Sequence, residues 1–252
     1  VVFNCPFGSD SFLEILDRGF GLLALHGSYV NDYGKKAFLF SKALGQNLYR
    51  VEEVLARGQR NGLEGLLWTS SVFENAIELD TKPDRFPPWH RYALSKKISG
   101  ISLKQLCWES GLDFGRFVIS NPFGPLQDEK LVHHLARSFL ERRSFELRTP
   151  DYVRDLIHVR HLASAYHNMV NSVLDKKTIT EMDPSEYTGT LLDFTKTFYA
   201  EFSKRLGYSC DVSFCDMDFI EPRSLVNKTE VRNLIDDYDP AFCWDELLRY
   251  YE

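Results

Sequence analysis

No stretch of this 252-residue chain approaches the ~20 consecutive apolar residues that a membrane-spanning helix needs. Nor does a charged, apolar and small-residue series open it as a secretory leader would. Positive charge is in deficit: 30 Lys and Arg stand against 36 Asp and Glu, a net charge of −6. That balance argues against a general nucleic-acid binder while leaving room for a local anion site. Cysteine is sparse and odd in number. Cys5, Cys107, Cys210, Cys215 and Cys243 form no CxxC pair and no His-containing metal spacing. The expectation from these absences is a cytoplasmic protein with reduced thiols, no metal site and no membrane or nucleic-acid partner.

What is present is the composition of an ordinary globular chain, 44% hydrophobic and 26% charged, long enough for one large domain or a domain with a smaller lobe. Its most informative stretch is Gly65 to Lys96. It reads as a buried strand ending in Thr69, Ser70 and Ser71, a polar excursion of two dozen residues, and a helix opening at Tyr92 with Lys96 one turn on. Residues four apart share a helix face, so the Tyr92 phenol and the Lys96 ammonium point into the same space. A cation beside a phenol, whose free pKa is about 10, favours the phenolate and suits Tyr92 to proton transfer. A Ser at the strand's carboxyl end, Ser70 or Ser71, can bond the same substrate oxygen, since strand ends are where open α/β sheets place ligands. The combination describes a site for interconverting a carbonyl and an alcohol.

Along the chain, residues 1–5 are β-like, and Ser11 to Glu14 has the form of a capping box opening a helix that runs to about Arg18. Gly21 to Gly27 is a continuous apolar run, as expected of a parallel strand buried on both faces. Leu44 to Arg60 has helical spacing with Asn47 inside it. The strand Leu63 to Ser71, the helix from Tyr92 to about Ser110 and the strand Phe114 to Ser120 follow. The prolines and glycine of residues 121–125 predict a loop. This alternation indicates an α/β fold with a Rossmann-like parallel sheet over 1–125. From 126 to 252 the texture changes to mixed helices and short strands, a smaller α+β lobe interleaved with the sheet.

The segments LLALHGSYV, QNLYRVEEVL, LLWTSS, RYALSK, RFVISNPFGP and YVRDLIHVRHLASAY occur in this order and cover nearly the whole chain. In them the chain resembles the extended short-chain dehydrogenase/reductases, a family of nucleotide-sugar epimerases, dehydratases and reductases. The resemblance implies Ser71, Tyr92 and Lys96 as catalytic residues, with Ser70 taking the first role if the register slips by one. It implies NAD or NADP contacts at His26, Gly27, Tyr92, Lys96, Asn121, Pro122 and Phe123, although a strand end with a turn explains His26 as well. It implies a nucleotide-sugar substrate met by Ser71, Asn121, Arg154 and Arg223. Asn47 would support the catalytic strand, Asp155 and His158 would hold the turn beside Arg154, and a homodimer would form through four helices, the Asn47 and Tyr92 helices of each copy. Guanidinium suits a diphosphate because its planar fork bonds in pairs. Where dehydratases carry an acidic pair after the catalytic hydroxyl, this chain has Val72 and Phe73, with Glu74 a poor substitute, which favours epimerisation or 4-keto reduction.

The chain departs from the family in two places. It begins at what resembles the third strand of the family's nucleotide-binding half, so the Rossmann-like domain over 1–125 is expected to be partial, truncated at its amino end by a βαβ unit and more. With that unit goes the glycine-rich GxxGxxG turn at a helix amino terminus that would bind a pyrophosphate; Phe7 to Asp10 is the nearest segment, with one glycine. Arg160 and His161 stand where the family is usually acidic, which reads as surface variation. Two functions follow: an NAD(P)-dependent nucleotide-sugar oxidoreductase of epimerase or reductase type, or a degenerate member that has lost its dinucleotide site and serves as a structural or partner-binding subunit.

Overall fold

The computed structural model describes residues 5–79, 87, 89–175, 181–215, 217 and 221–252. The β-like run at residues 1–4 and most of the loop between Leu79 and Trp89 lie outside these residues. The chain divides into two compact units, residues 1–119 with 166–182, and residues 120–165 with 183–252.

In the first unit, three apolar segments form a parallel sheet in the order β1 (Leu22–Leu25), β2 (Gly65–Ser71), β3 (Asp113–Ile119), with a short fourth strand, β7 (Glu181–Met182), beside β3. The register pairs Leu25 with Trp68 and Ser71 with Ile119, so the carboxyl ends of β1, β2 and β3 lie side by side. The near-continuous hydrophobicity of β2 follows from helices on both faces. On one face Leu66 and Trp68 pack with Val51, Leu55, Leu103 and Cys107 from the helices α3 (Val51–Arg60) and α5 (Trp89–Glu109). On the other, Gly115 lies against Val173 and Met169 of α7 (Val159–Leu174), a helix that begins in the second unit and ends in the first.

Three local expectations change. The helix α1 (Asp10–Leu16) is capped by Ser9, whose hydroxyl accepts from the Phe12 N–H, rather than by Ser11. Both serines suit a cap, and the one that precedes Asp10 takes it. The helix expected over residues 44–60 is two, α2 (Phe40–Asn47) and α3, broken where Arg50 adopts a left-handed conformation with φ 51°. Its guanidinium holds the break by bonding Asp10 at 2.6 Å, Glu53 at 2.8 Å and the Gly8 carbonyl at 3.3 Å. Within the polar excursion after β2 stands a further helix, α4 (Phe73–Leu79).

The second unit gathers a four-stranded arrangement around β6 (Val153–His158), which pairs in parallel with β4 (Asn121–Phe123) and β11 (Ser224–Leu225) and antiparallel with β9 (Tyr187–Thr190). The segment 121–123, expected as loop, is therefore a strand. Its proline is tolerated because β4 lies at the sheet's edge. Residues 181–190 supply β7, β8 (Pro184–Ser185) and β9. Two two-stranded sheets pair β5 (Phe145–Leu147) with β10 (Val212–Phe214) and β8 with β12 (Thr229–Glu230). The unit's core is aromatic: Phe123, Phe139, Phe194, Phe198, Phe202 and Trp244 pack together from β4 and the helices α6 (Leu131–Leu140), α8 (Leu191–Leu206) and α9 (Pro240–Tyr251).

Candidate active site

The first unit assembles the trio singled out in the sequence. The strand β2 ends at Ser71, and α5 approaches it closely because Gly100 faces the Trp68 indole, where a Cβ would sit 3.1 Å from Nε1. Asn47 fixes the approach: its amide donates to Ser99 of α5 at 3.1 Å and its carbonyl accepts from the Tyr29 N–H at 3.2 Å. It thus ties α5 to the loop after β1, rather than bracing β2 directly.

On this frame the Ser71 hydroxyl accepts from the Phe73 N–H at 3.4 Å and lies beside the Tyr92 phenol. Around the phenol stand the rings of Tyr33, Phe38 and Phe73, with centroids 5.3 to 6.2 Å from that of Tyr92. Burial in this cage pushes Tyr92 up to about 12, against the opposing pull of the neighbouring Ser71 hydroxyl. Lys96, also buried, donates to the Thr69 carbonyl at 2.5 Å and the Ser28 hydroxyl at 3.3 Å, and lies 4.0 Å over the Trp68 ring. Burial brings it down to about 8, with Glu74 opposing. The expectation that Lys96 depresses the Tyr92 pKa is corrected: the ammonium reaches the strand's main chain, and desolvation dominates at both groups.

His26 follows β1. Its Nδ1 lies 3.0 Å from the Thr69 hydroxyl, its ring stacks on Tyr166 at 4.6 Å, and burial with the nearby Lys96 charge holds it below the usual imidazole range. His26, Gly27, Ser28, Asn47, Tyr49 and Trp68 line a cavity of about 570 Å³, within the size range of small-molecule sites. A Cβ on Gly27 would meet nothing within 4 Å. The Phe7 to Asp10 turn is closed instead: Gly8 has φ 71°, and a Cβ there would lie 2.2 Å from the Tyr49 carbonyl oxygen.

In the second unit, Asn121 donates to the Asp155 carbonyl at 3.1 Å, Pro122 is exposed, and the Phe123 ring is buried in the aromatic core. The pairing of β6 with β11 brings the two predicted arginines together. The Arg223 carbonyl accepts from the Val153 N–H at 2.8 Å and from the Arg154 guanidinium at 3.2 Å. Arg154 is buried, pairs with Glu221 at 3.2 Å, and is held below its usual range by burial. Asp155 accepts from the main-chain N–H groups of Glu186 and Asn227 at 3.0 and 3.3 Å. His158, pushed down to about 4 by burial, accepts from the Arg160 N–H at 3.3 Å.

The family model for the NAD dependent epimerase/dehydratase family matches residues 41–180, more than half of the sequence. The chain belongs to this family. Among curated proteins none matches. Similar solved structures include a UDP-N-acetylglucosamine 4-epimerase from Methanobrevibacter ruminantium M1 in complex with UDP-N-acetylmuramic acid, with TM-score 0.71 and 17% identity over 96% of this chain and 80% of that one. A UDP-glucuronic acid 4-epimerase variant from Bacillus cereus, in complex with a fluorinated UDP-glucuronic acid and NAD, gives 0.69 and 12% over 99% and 80%. An L-threonine 3-dehydrogenase from Trypanosoma brucei gives 0.69 and 11% over 96% and 79%. At these identities the likeness is one of fold.

As a member of an NAD-dependent family, the chain has residues that suit part of a dinucleotide. Ser28 and Trp68 line the cavity, and the Lys96 ammonium lies behind them in contact with both; the Ser28 hydroxyl and that ammonium suit ribose hydroxyls. A glycine-rich diphosphate turn does not occur in the sequence, and the Gly8 turn is packed shut. Sequence reasoning also missed two buried groupings. One joins Glu74 to Arg116 at 2.9 Å. The other places His161 Nδ1 2.9 Å from Glu186 and His161 Nε2 3.3 Å from the Cys243 sulfur. His161 is fully buried, so the surface reading of that position is corrected. A lone charge in the apolar run of β3, and a second in the segment after β2, were the available signals.

Proposed function

We propose that the chain is an NAD(P)-dependent oxidoreductase of nucleotide-activated sugars, of epimerase or 4-keto reductase type, with Ser71, Tyr92 and Lys96 as its reacting groups. The observation that carries this is the placement of Ser71, at the carboxyl end of β2, beside the Tyr92 phenol, with Lys96 buried one turn along α5. A bound nicotinamide would supply or take up hydride. Tyr92, raised to about 12, carries its proton at neutral pH and is set to give it to a sugar carbonyl oxygen that Ser71 orients. Lys96 holds the nicotinamide ribose and supplies positive charge. His26, Gly27 and the main chain of residues 121–123 would contact the cofactor. Asn121, Arg154 and Arg223 would hold the substrate, with the diphosphate taking the place of Glu221 on Arg154. In this reading the first unit serves the dinucleotide and the second the sugar nucleotide, and the protein works in the cytoplasm. Ile101 and Trp108, 61% and 74% exposed on α5, favour a homodimer through that helix.

The test is proton NMR of UDP-, CDP- and GDP-linked sugars incubated with the chain and NAD(H) or NADP(H). Conversion of one class, abolished in Tyr92→Phe, is the expected result. A folded chain that converts none of them favours the second reading, a partner-binding member without a dinucleotide site, for which the closed Gly8 turn speaks.

A further inference from the structure

Two adjacent serines end β2, and the residues around them treat the two differently. Ser70 donates to the Glu74 carboxylate and accepts from Arg116 Nε at 3.1 Å. Glu74, 3% exposed, also accepts from Arg116 Nη2 at 2.9 Å and from the Ser71 main-chain N–H at 3.4 Å. Arg116 completes the set by bonding Glu181 at 2.6 Å. The Ser70 hydroxyl thereby has its one proton engaged and accepts one hydrogen bond besides, whereas the Ser71 hydroxyl accepts from the Phe73 N–H at 3.4 Å and lies beside Tyr92. A carboxylate this deeply buried is costly unless paired and fully bonded, and here it is placed one helical turn from the Ser-Ser end.

We propose that Glu74 is a positioning residue for the Ser71–Tyr92–Lys96 site: with Arg116 it removes Ser70 from the site, pins the main chain of Ser71, and supplies the negative charge that the phenol and the ammonium both experience. The inference rests on the proposed function only for the meaning of that site, since the geometry stands without it. The charged and titratable groups facing the pair are few. Lys96 is met by Glu74 from α4, Arg116 from β3 and His26 from the end of β1, and Tyr92 by Glu74 and by Tyr33. Of these, Glu74 alone acts on both. Its charge opposes loss of the Lys96 proton and loss of the Tyr92 proton alike, because each loss removes a positive charge or creates a negative one near a carboxylate.

The test is an NMR titration of the full chain carrying ¹³Cζ-tyrosine and ¹⁵Nζ-lysine, comparing wild type with Glu74→Gln, an isosteric change that keeps an acceptor for Ser71. The titration midpoints of Tyr92 and Lys96 are both expected to move down. Midpoints that stay in place while the melting temperature falls would reduce Glu74 to a structural brace and overturn the inference. Should the single variant not fold, Glu74→Gln/Arg116→Gln replaces the ion pair by two amides. There Tyr92 is expected to move down, and Lys96 to move less than in a chain that keeps Arg116, whose charge pulls the other way. An unmoved Tyr92 in that variant again overturns it. Shifted midpoints in a chain that converts no nucleotide sugar would count against the proposed function alone. Conversion with unmoved midpoints would count against Glu74 alone.

Discussion

Burial displaces Tyr92 and Lys96 in opposite directions, because in each it penalises the charged form, phenolate in one and ammonium in the other. Tyr92 is thereby an acid at neutral pH, and Tyr92→Phe, which keeps the ring in its cage, is expected to lower turnover by about 10²- to 10⁴-fold with little change in folding. Steady-state kinetics beside thermal melts check this. Lys96 carries a cost for its position. Its folded pKa of about 8 lies below the ordinary lysine value of 10.5, so between those values the unfolded chain binds more protons and stability rises with pH. Lys96→Met is accordingly expected to be more stable than wild type at pH 7, by roughly 1–3 kcal/mol. The difference should shrink as the pH rises through that window and vanish above it; urea denaturation at pH 7 and pH 11 measures both ends. The trio itself was legible in the sequence, since Ser, Tyr and Lys fall on a strand end and one helix face. The Glu74–Arg116 pair was not, because it joins residues 42 apart through the pairing of β2 with β3 in the sheet.

At the scale of elements, the parallel strands were legible because a strand covered on both faces reads as an unbroken apolar run. The break at Arg50 was not, since helical spacing continues through Leu48, Val51, Val54 and Leu55 on either side of it. Nor were β4 and the strands of residues 181–190, each two to four residues long and defined by partners distant in the chain. The seat of α7 on the sheet depends on glycine. A Cβ at Gly115 would lie 2.6 Å from Val173 and 2.8 Å from Met169. Gly115→Val is therefore expected to destabilise by about 1–3 kcal/mol through overpacking, or more if α7 lifts from β3. Denaturant melts quantify the loss, and a variant pairing it with Val173→Ala should recover part of it.

For the whole molecule, family membership and fold set the class of chemistry, and no helix among the described residues is long and apolar enough to cross a membrane. With a net charge of −6, the proposed function leaves the holding of a diphosphate to local arginines rather than to a general field. The central claim is that a nicotinamide dinucleotide is held at the cavity beside Lys96 without a glycine-rich turn in the sequence. Calorimetric titration of the chain with NADH and then NADPH tests it most directly. Micromolar binding of one of them, weakened at least tenfold by Lys96→Ala, is the expected result. A folded chain that takes up neither would contradict the account.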